Sequence, residues 1–172
     1  MLNRRLNLNR KCTVFKRSLL ISLALILFLS AGFTSLASDN NVPEDVQEAA
    51  VKYGDEYDIS PELLLAIIYF ESRYIPTVDN GDCKGLMQIN EPYHKERMER
   101  LGVTDLHDVD SNIHVGADYI AELYENYGDY GIVLGLYHGE PKAIRNGRKG
   151  IYSKYTLLVL SKALELDDKE DF

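Results

Sequence analysis

The chain has 172 residues, 19 basic and 27 acidic, with 12 tyrosines and no tryptophan; that length holds one domain plus a targeting segment. Residues 1–37 carry six of the basic residues and no acid, so the remainder sets 13 basic residues against 27 acidic ones, a net of −14. So acidic a domain argues against nucleic acid as the partner, because phosphate binding rests on Lys and Arg.

The first 17 residues include Arg4, Arg5, Arg10, Lys11, Lys16 and Arg17, and Leu19 to Phe33 is almost wholly apolar. Small residues follow, ending Ser35-Leu36-Ala37, a pattern that fits signal-peptidase cleavage before Ser38. The run from Ser18 to Ala37 is also long enough to span a bilayer as an uncleaved anchor. Residues 1–37 therefore read as a signal peptide or membrane signal anchor and 38–42 as a polar linker. The domain is expected outside the cytoplasm, secreted or held at the cell envelope. With Cys12 in the targeting segment, Cys83 is left without an intramolecular disulfide partner. Packing must hold the domain together, and a chain of this size can bury enough apolar surface for that.

Pro43 to Tyr57 reads as a first helix, with Val46, Ala49, Ala50, Tyr53 and Tyr57 on one side. Ser60-Pro61 then signals a helix start: Ser60 can cap free N–H groups, and Pro61 at the first position sacrifices no hydrogen bond. Leu63 to Phe70 follows without a polar residue, and a helix apolar on every face is buried on every face. Glu71 shares a face with Leu64, Ile67 and Ile68. A carboxyl group there is desolvated, which favours its neutral form and suits a general acid. A helix-end glutamate turned to solvent is the simpler reading of the periodicity. The next stretch argues against it: a Gly-bounded turn, Gly81 to Gly85, leads into Gly85-Leu86-Met87-Gln88-Ile89-Asn90, which places two amides among apolar residues. An acid beside a Gly-lined loop carrying amides suits a polar, uncharged ligand.

Glu91-Pro92 opens a charged helix ending near Gly102, whose Lys95, Glu96, Arg97, Glu99 and Arg100 are expected to face solvent. Asp110 reads as the N-cap of a long helix running to Tyr127, with Ile113, Ala117, Ile120 and Tyr124 as core and Gly116 as a point of close approach for another helix. Gly128 stops it. Asp129 to Tyr137 makes a short apolar helix, 140–150 a loop, and Tyr152 to Leu166 the last helix, with Tyr155, Leu158, Val159 and Ala163 inward. Residues 167–172 form an acidic tail. The fold class is all-α, a single helical domain over 43–166.

Glu71-Ser72, Gly85-Leu86-Met87-Gln88, Leu136-Tyr137-His138-Gly139 and Tyr155, in this order and spacing, resemble the catalytic domain of soluble lytic transglycosylases (SLT). That family has a goose-type-lysozyme-like fold. The resemblance implies peptidoglycan glycan strands as partner and Glu71 as the catalytic acid. Ser72, Met87, Gln88, Tyr137, His138 and Tyr155 are then the substrate-binding groups. It also implies cleavage between N-acetylmuramic acid and N-acetylglucosamine, with Glu71 acting as acid and then as base, to leave a 1,6-anhydro end. Where the family usually has Ala-Tyr-Asn, this chain has Leu-Tyr-His, so His138 replaces an amide with an imidazole. Such a domain could serve wall remodelling, a secretion or conjugation apparatus, or phage lysis.

The tyrosines, all after residue 52, offer flat apolar faces with hydroxyls, which suit sugar rings. The four histidines show no metal spacing, and there is no phosphate loop or nucleophile elbow; neither metal nor cofactor is expected. A hydrolytic muramidase would need a second carboxylate, for which Asp79, Asp82 and Glu140 are candidates. A non-catalytic wall-binding protein of the same fold is the third alternative. Lys142, Arg145, Arg148 and Lys149 cluster in one loop of this acidic domain; they read either as a solvated loop or as a groove wall that meets carboxylates on peptide stems or other anionic wall polymers.

Overall fold

The structure, a computed structural model, describes residues 42–170. The expected targeting segment and all but the last residue of the linker lie outside the described residues. Seven helices follow in order: α1 (Glu44–Tyr57), α2 (Pro61–Ser72), α3 (Glu91–Leu101), α4 (Val109–Tyr127), α5 (Tyr130–Tyr137), α6 (Ala143–Gly147) and α7 (Lys154–Glu170). Between α2 and α3 runs a three-stranded antiparallel sheet of two-residue strands, β1 (Asp79–Asn80), β2 (Cys83–Lys84) and β3 (Ile89–Asn90), in the order β1-β2-β3. The class is all-α, as the periodicity implies. No helix among the described residues is long and apolar enough to cross a membrane.

α2 is the strut. Ser60 caps it, its hydroxyl accepting from the Leu63 N–H at 3.2 Å with Pro61 at the first position. Leu64, Ala66, Ile67 and Ile68 have no exposed surface, because α1 covers one side of α2 and α7 another. Each fully buried Leu or Ile contributes roughly 1.5–3 kcal/mol, so this helix is anchored along its whole length. α1 also packs on α4, and α5 touches α4, α6 and α7. The result holds the C-terminal end of α2 against the C-terminal end of α5 and the start of α7.

Six local expectations are corrected, the first being the loop over 140–150, which holds α6 (Ala143–Gly147). The N-cap of α4 is Asp108, which accepts from the Ser111 N–H at 2.9 Å; Asp110 lies inside the first turn and pairs with Lys52 and Tyr53 of α1. Arg97 is not a solvent-facing residue: its side chain is 10% exposed and bonds Asp118 and Glu122 on α4 and the Nδ1 of His94. Tyr124 and Leu158 are exposed, Tyr124 stacking on Tyr130 with ring centroids 4.3 Å apart. At Gly116 the nearest neighbour is a loop side chain and not a helix backbone: a Cβ there would meet the Met87 sulfur at 2.3 Å, so the glycine makes room for that side chain. Finally, α7 continues past Leu166 to Glu170, and the start of the expected acidic tail is its last turn.

Candidate active site

Glu71 is the penultimate residue of α2; only Ser72 separates it from a reversal made by two consecutive residues with left-handed backbone, Arg73 (φ 56°) and Tyr74 (φ 63°). Such a conformation costs a non-glycine residue roughly 1–2 kcal/mol. It turns the chain away at once and leaves the Glu71 carboxyl at the end of the apolar strut. Oε1 accepts a 2.5 Å hydrogen bond from the Tyr155 hydroxyl of α7. Oε2 makes no hydrogen bond among the described residues and is not fully enclosed. Burial pushes the Glu71 pKa above the ordinary carboxylate value; the Tyr155 hydrogen bond and the charge of His138 pull it back only in part. Asp110 and Asp118, each hydrogen-bonded to cations, go the other way.

Tyr155 is fixed from two sides. Its ring stacks flat on His138, centroids 3.9 Å apart and planes 7° apart, and meets Phe70 edge-on at 6.4 Å. Burial and the neighbouring Glu71 charge raise its own pKa, which keeps it a donor. Tyr155→Phe deletes the hydrogen bond that favours the carboxylate form. The Glu71 pKa then rises further, and the alkaline limb of the pH–rate profile moves to higher pH. The rate itself should fall about tenfold from lost orientation, and a profile whose alkaline limb stays put would contradict this account of the acid.

The loop from Gly85 to Asn90 forms the facing wall. Tyr137, the last residue of α5, donates to the Met87 carbonyl at 2.6 Å. Burial, and then the Glu71 charge, push its pKa well above the ordinary phenol value. The Met87 N–H in turn donates to the Asn112 side chain at 2.8 Å. Asn112, fully buried on α4, also donates to the carbonyls of Lys84 (2.9 Å) and Leu106 (2.7 Å). Gly85, at φ 73°, packs so closely that a Cβ would lie 2.2 Å from the Asn112 amide. One buried amide thus staples the loop to α4. Sequence reasoning missed it, and its signal was an asparagine on the apolar face of a long helix.

Beside these groups opens a groove of about 630 Å³, lined by Cys83, Gln88, Asn90, Tyr137, His138 and Glu140, with Tyr93, His94, Tyr119 and Tyr127 along its length. Glu71 is not among the lining residues; it joins the groove through Tyr155, which stacks on His138 of the wall. Tyr93 is 72% exposed, while Tyr119 contacts Tyr93, His94 and Tyr137 at centroid distances of 6.1, 4.5 and 5.7 Å. His94 is buried and its pKa falls to about 4, chiefly through desolvation. It is neutral at pH 7, and its Nδ1 accepts from Arg97 Nε at 3.2 Å. These aromatics were read from the sequence only as a surplus of tyrosine.

The seven residues named from the sequence therefore separate. Glu71, Tyr155 and His138 come together, with Tyr137 close enough to feel the Glu71 charge. Ser72 is buried, and its hydroxyl donates back to the Ile68 carbonyl at 3.1 Å. The Met87 side chain is core, with no exposed surface, and only its backbone meets the site. Gln88 lines the groove, but its amide is spent on the loop: it donates to the Gly85 carbonyl at 2.9 Å and accepts from Asn80 at 2.6 Å. Of the three other carboxylates considered, Glu140 lines the groove, whereas Asp79 and Asp82 are exposed on the sheet and its turn.

Comparison with known proteins places this arrangement. The family model of the transglycosylase SLT domain matches residues 48–157. The transglycosylase of Enterobacteria phage PRD1 is 33% identical over 95 residues, covering 55% of this chain and 34% of the phage protein. Membrane-bound lytic murein transglycosylase F of Desulfosudis oleivorans is 32% identical over 85 residues, 49% of this chain and 17% of the relative. The X polypeptide of Escherichia coli is 32% identical over 130 residues, 66% of this chain and 75% of the relative. The chain thus spans about a third or less of the length of the first two. Among solved structures, an inactive mutant of lytic transglycosylase Slt from Pseudomonas aeruginosa superposes with a TM-score of 0.67 at 20% identity, over 83% of this chain and 27% of Slt. The fold is the lysozyme-like one of that enzyme. The chain belongs to the transglycosylase SLT-domain family.

Proposed function

We propose that the domain is a peptidoglycan lytic transglycosylase that cuts the bond between N-acetylmuramic acid and N-acetylglucosamine without consuming water. The observation that carries the reading is the Glu71 carboxyl: held at Oε1 by Tyr155, without a hydrogen bond at Oε2, and raised in pKa by burial. A single carboxyl in that state can act twice. Protonated, it gives its proton from Oε2 to the glycosidic oxygen as that bond to C1 breaks. As the carboxylate, it takes the proton of the same sugar's 6-hydroxyl while that oxygen closes onto C1, and the acid is restored. Tyr155 holds the carboxyl in one orientation through both steps, and its hydrogen bond strengthens as the charge develops. Tyr93 and Tyr119 offer ring faces to the sugars along the groove.

The setting is read from the relatives. The name of the Desulfosudis protein ties a similar domain to murein and to a membrane, and with the basic-then-apolar stretch at 1–37 this supports export to the cell envelope, by a cleaved signal or a retained anchor. Wall opening for a secretion or conjugation apparatus, wall remodelling and phage lysis would all use such a domain. Because Glu140 lines the groove, hydrolysis with Glu140 as second carboxylate is the competing chemistry.

Mass spectrometry of soluble products from purified peptidoglycan separates the two. The lyase leaves muropeptides about 18 mass units lighter than hydrolytic ones, by one water, and Glu140→Gln changes neither their mass nor their kind. Reducing ends that vanish in Glu140→Gln would establish the hydrolase instead.

A further inference from the structure

α7 presents apolar side chains on both of its sides. Thr156, Val159, Lys162 and Leu166 are its buried positions, and the helix packs on α2 and α5. Lys154, Leu157, Ser161, Leu164 and Asp168 are all exposed and recur at spacings of three and four, so they form one seam on the other side. Leu157 is 54% and Leu164 66% exposed, with half-buried Leu160 beside them and exposed Leu158 flanking. A single exposed leucine is ordinary; a row of them along two turns marks a contact surface. Next to the seam lies a cavity of about 480 Å³, lined chiefly by Leu63 of α2, Tyr130 of α5 and Leu160, Ala163 and Leu164 of α7. The seam ends in opposite charges, Lys154 at the start and Asp167 and Asp168 at the finish, and none of these three forms an ion pair among the described residues.

We propose that this seam is a self-association surface: α7 of one copy lies antiparallel on α7 of a second copy, about a twofold axis beside Leu160 and Ser161. The inference is independent of what the groove binds. The order of charges selects the occupant. A twofold contact needs a surface complementary to itself, and this one is. Turned end for end, the seam sets Lys154 across from Asp167 and Asp168, and Leu157 across from Leu164, with each contact made twice. A parallel pairing would instead set lysine on lysine and aspartate on aspartate. Ser161, small and central, lets the two helices approach closely. Leu157 of the second copy then stands beside Leu164, with the cavity open to its side chain. Glu62 and Asp167, which also line the cavity, disfavour the anionic surface of a membrane as the cover. Tyr155 bonds Glu71 from the packed side of α7, so pairing leaves both active sites free.

The test is carbodiimide cross-linking of the full chain in a mild non-ionic detergent, using equal parts of ordinary and nitrogen-15-labelled protein, with mass spectrometry of the linked peptides. Positions 154 and 167 of one helix lie about 20 Å apart along its axis, too far for a reagent that adds no atoms. The expected product joins Lys154 to Asp167 or Asp168 in peptides of mixed isotope. Leu157→Glu and Leu164→Glu should each lower its yield about tenfold or more, since the twofold axis counts every substitution twice. Both leucines are exposed, so the melting temperature should stay within about 2 °C. Lys154→Glu mixed with the variant carrying Asp167→Lys and Asp168→Lys should restore pairing, with position 154 of each linked to 167 or 168 of the other. The proposal is overturned if no mixed-isotope link forms, or if the link survives Leu164→Glu undiminished. Links from Asp167 or Asp168 to Lys11 or Lys16 would also overturn it, and would put the basic N-terminal segment on this face instead.

Discussion

Glu71→Gln is expected to lower the release of soluble muropeptides by about 10³-fold or more, since one residue supplies both proton transfers and each typically contributes 10²–10⁴. Affinity for the glycan should stay within about twofold, because Gln keeps the size and the acceptor oxygen that Tyr155 bonds. The same variant makes a second, independent prediction. Folding raises the Glu71 pKa, so at neutral pH the folded chain holds this proton more tightly than the unfolded one. Its contribution to stability is therefore full below the ordinary carboxylate pKa and is lost as pH rises through the folded value. Glu71→Gln, which never ionises, should melt higher than the parent at pH 7 and no higher at pH 4. An acid that gained stability by being charged would give the opposite order.

The second large effect lies away from the chemistry. Asn112→Ala leaves the Met87 N–H and the Lys84 and Leu106 carbonyls without their partner. A buried group left unpaired costs about 1–3 kcal/mol; because water can enter the vacated space, the sum should be near 4 kcal/mol, a fall in Tm of roughly 15 °C for a domain of this size. Activity should drop further than the unfolded fraction accounts for, since Met87 is the residue that Tyr137 grips. Thermal and urea unfolding measure the first effect, and activity well below the melting range measures the second. A loss under about 1 kcal/mol would mean that the loop is held by something other than this staple.

What the sequence showed and what it hid divide along the range of the interactions. Local signals were legible. Ser60-Pro61 starts α2, Gly102 and Gly128 end α3 and α4 with left-handed backbone, and the unbroken run Leu63 to Ile68 is buried. The position of Glu71 at the end of that run was legible for the same reason. Contacts between distant segments were not. The sheet escaped because strands of two residues are too short to alternate, and its register is set by the turn at Gly81 and by Asn112, 28 positions beyond Lys84. Arg97 reads as a surface charge until α4 brings Asp118 and Glu122 to it. Ser72 and Gln88 carry the chemistry of ligand groups, yet their polar atoms are spent on local backbone and loop. Conversely, Tyr93 and Tyr119 gave no local sign of facing a groove that α5 completes.

The central claim, that one carboxyl does both proton transfers and water does none, is tested most directly by running the cleavage in water enriched in the heavy oxygen isotope. The account predicts soluble muropeptides with 1,6-anhydro ends and no label at the cut bond, formed by the parent and not by Glu71→Gln. Heavy oxygen at C1 of the newly formed ends would contradict it, and would give Glu140 the part of activating water.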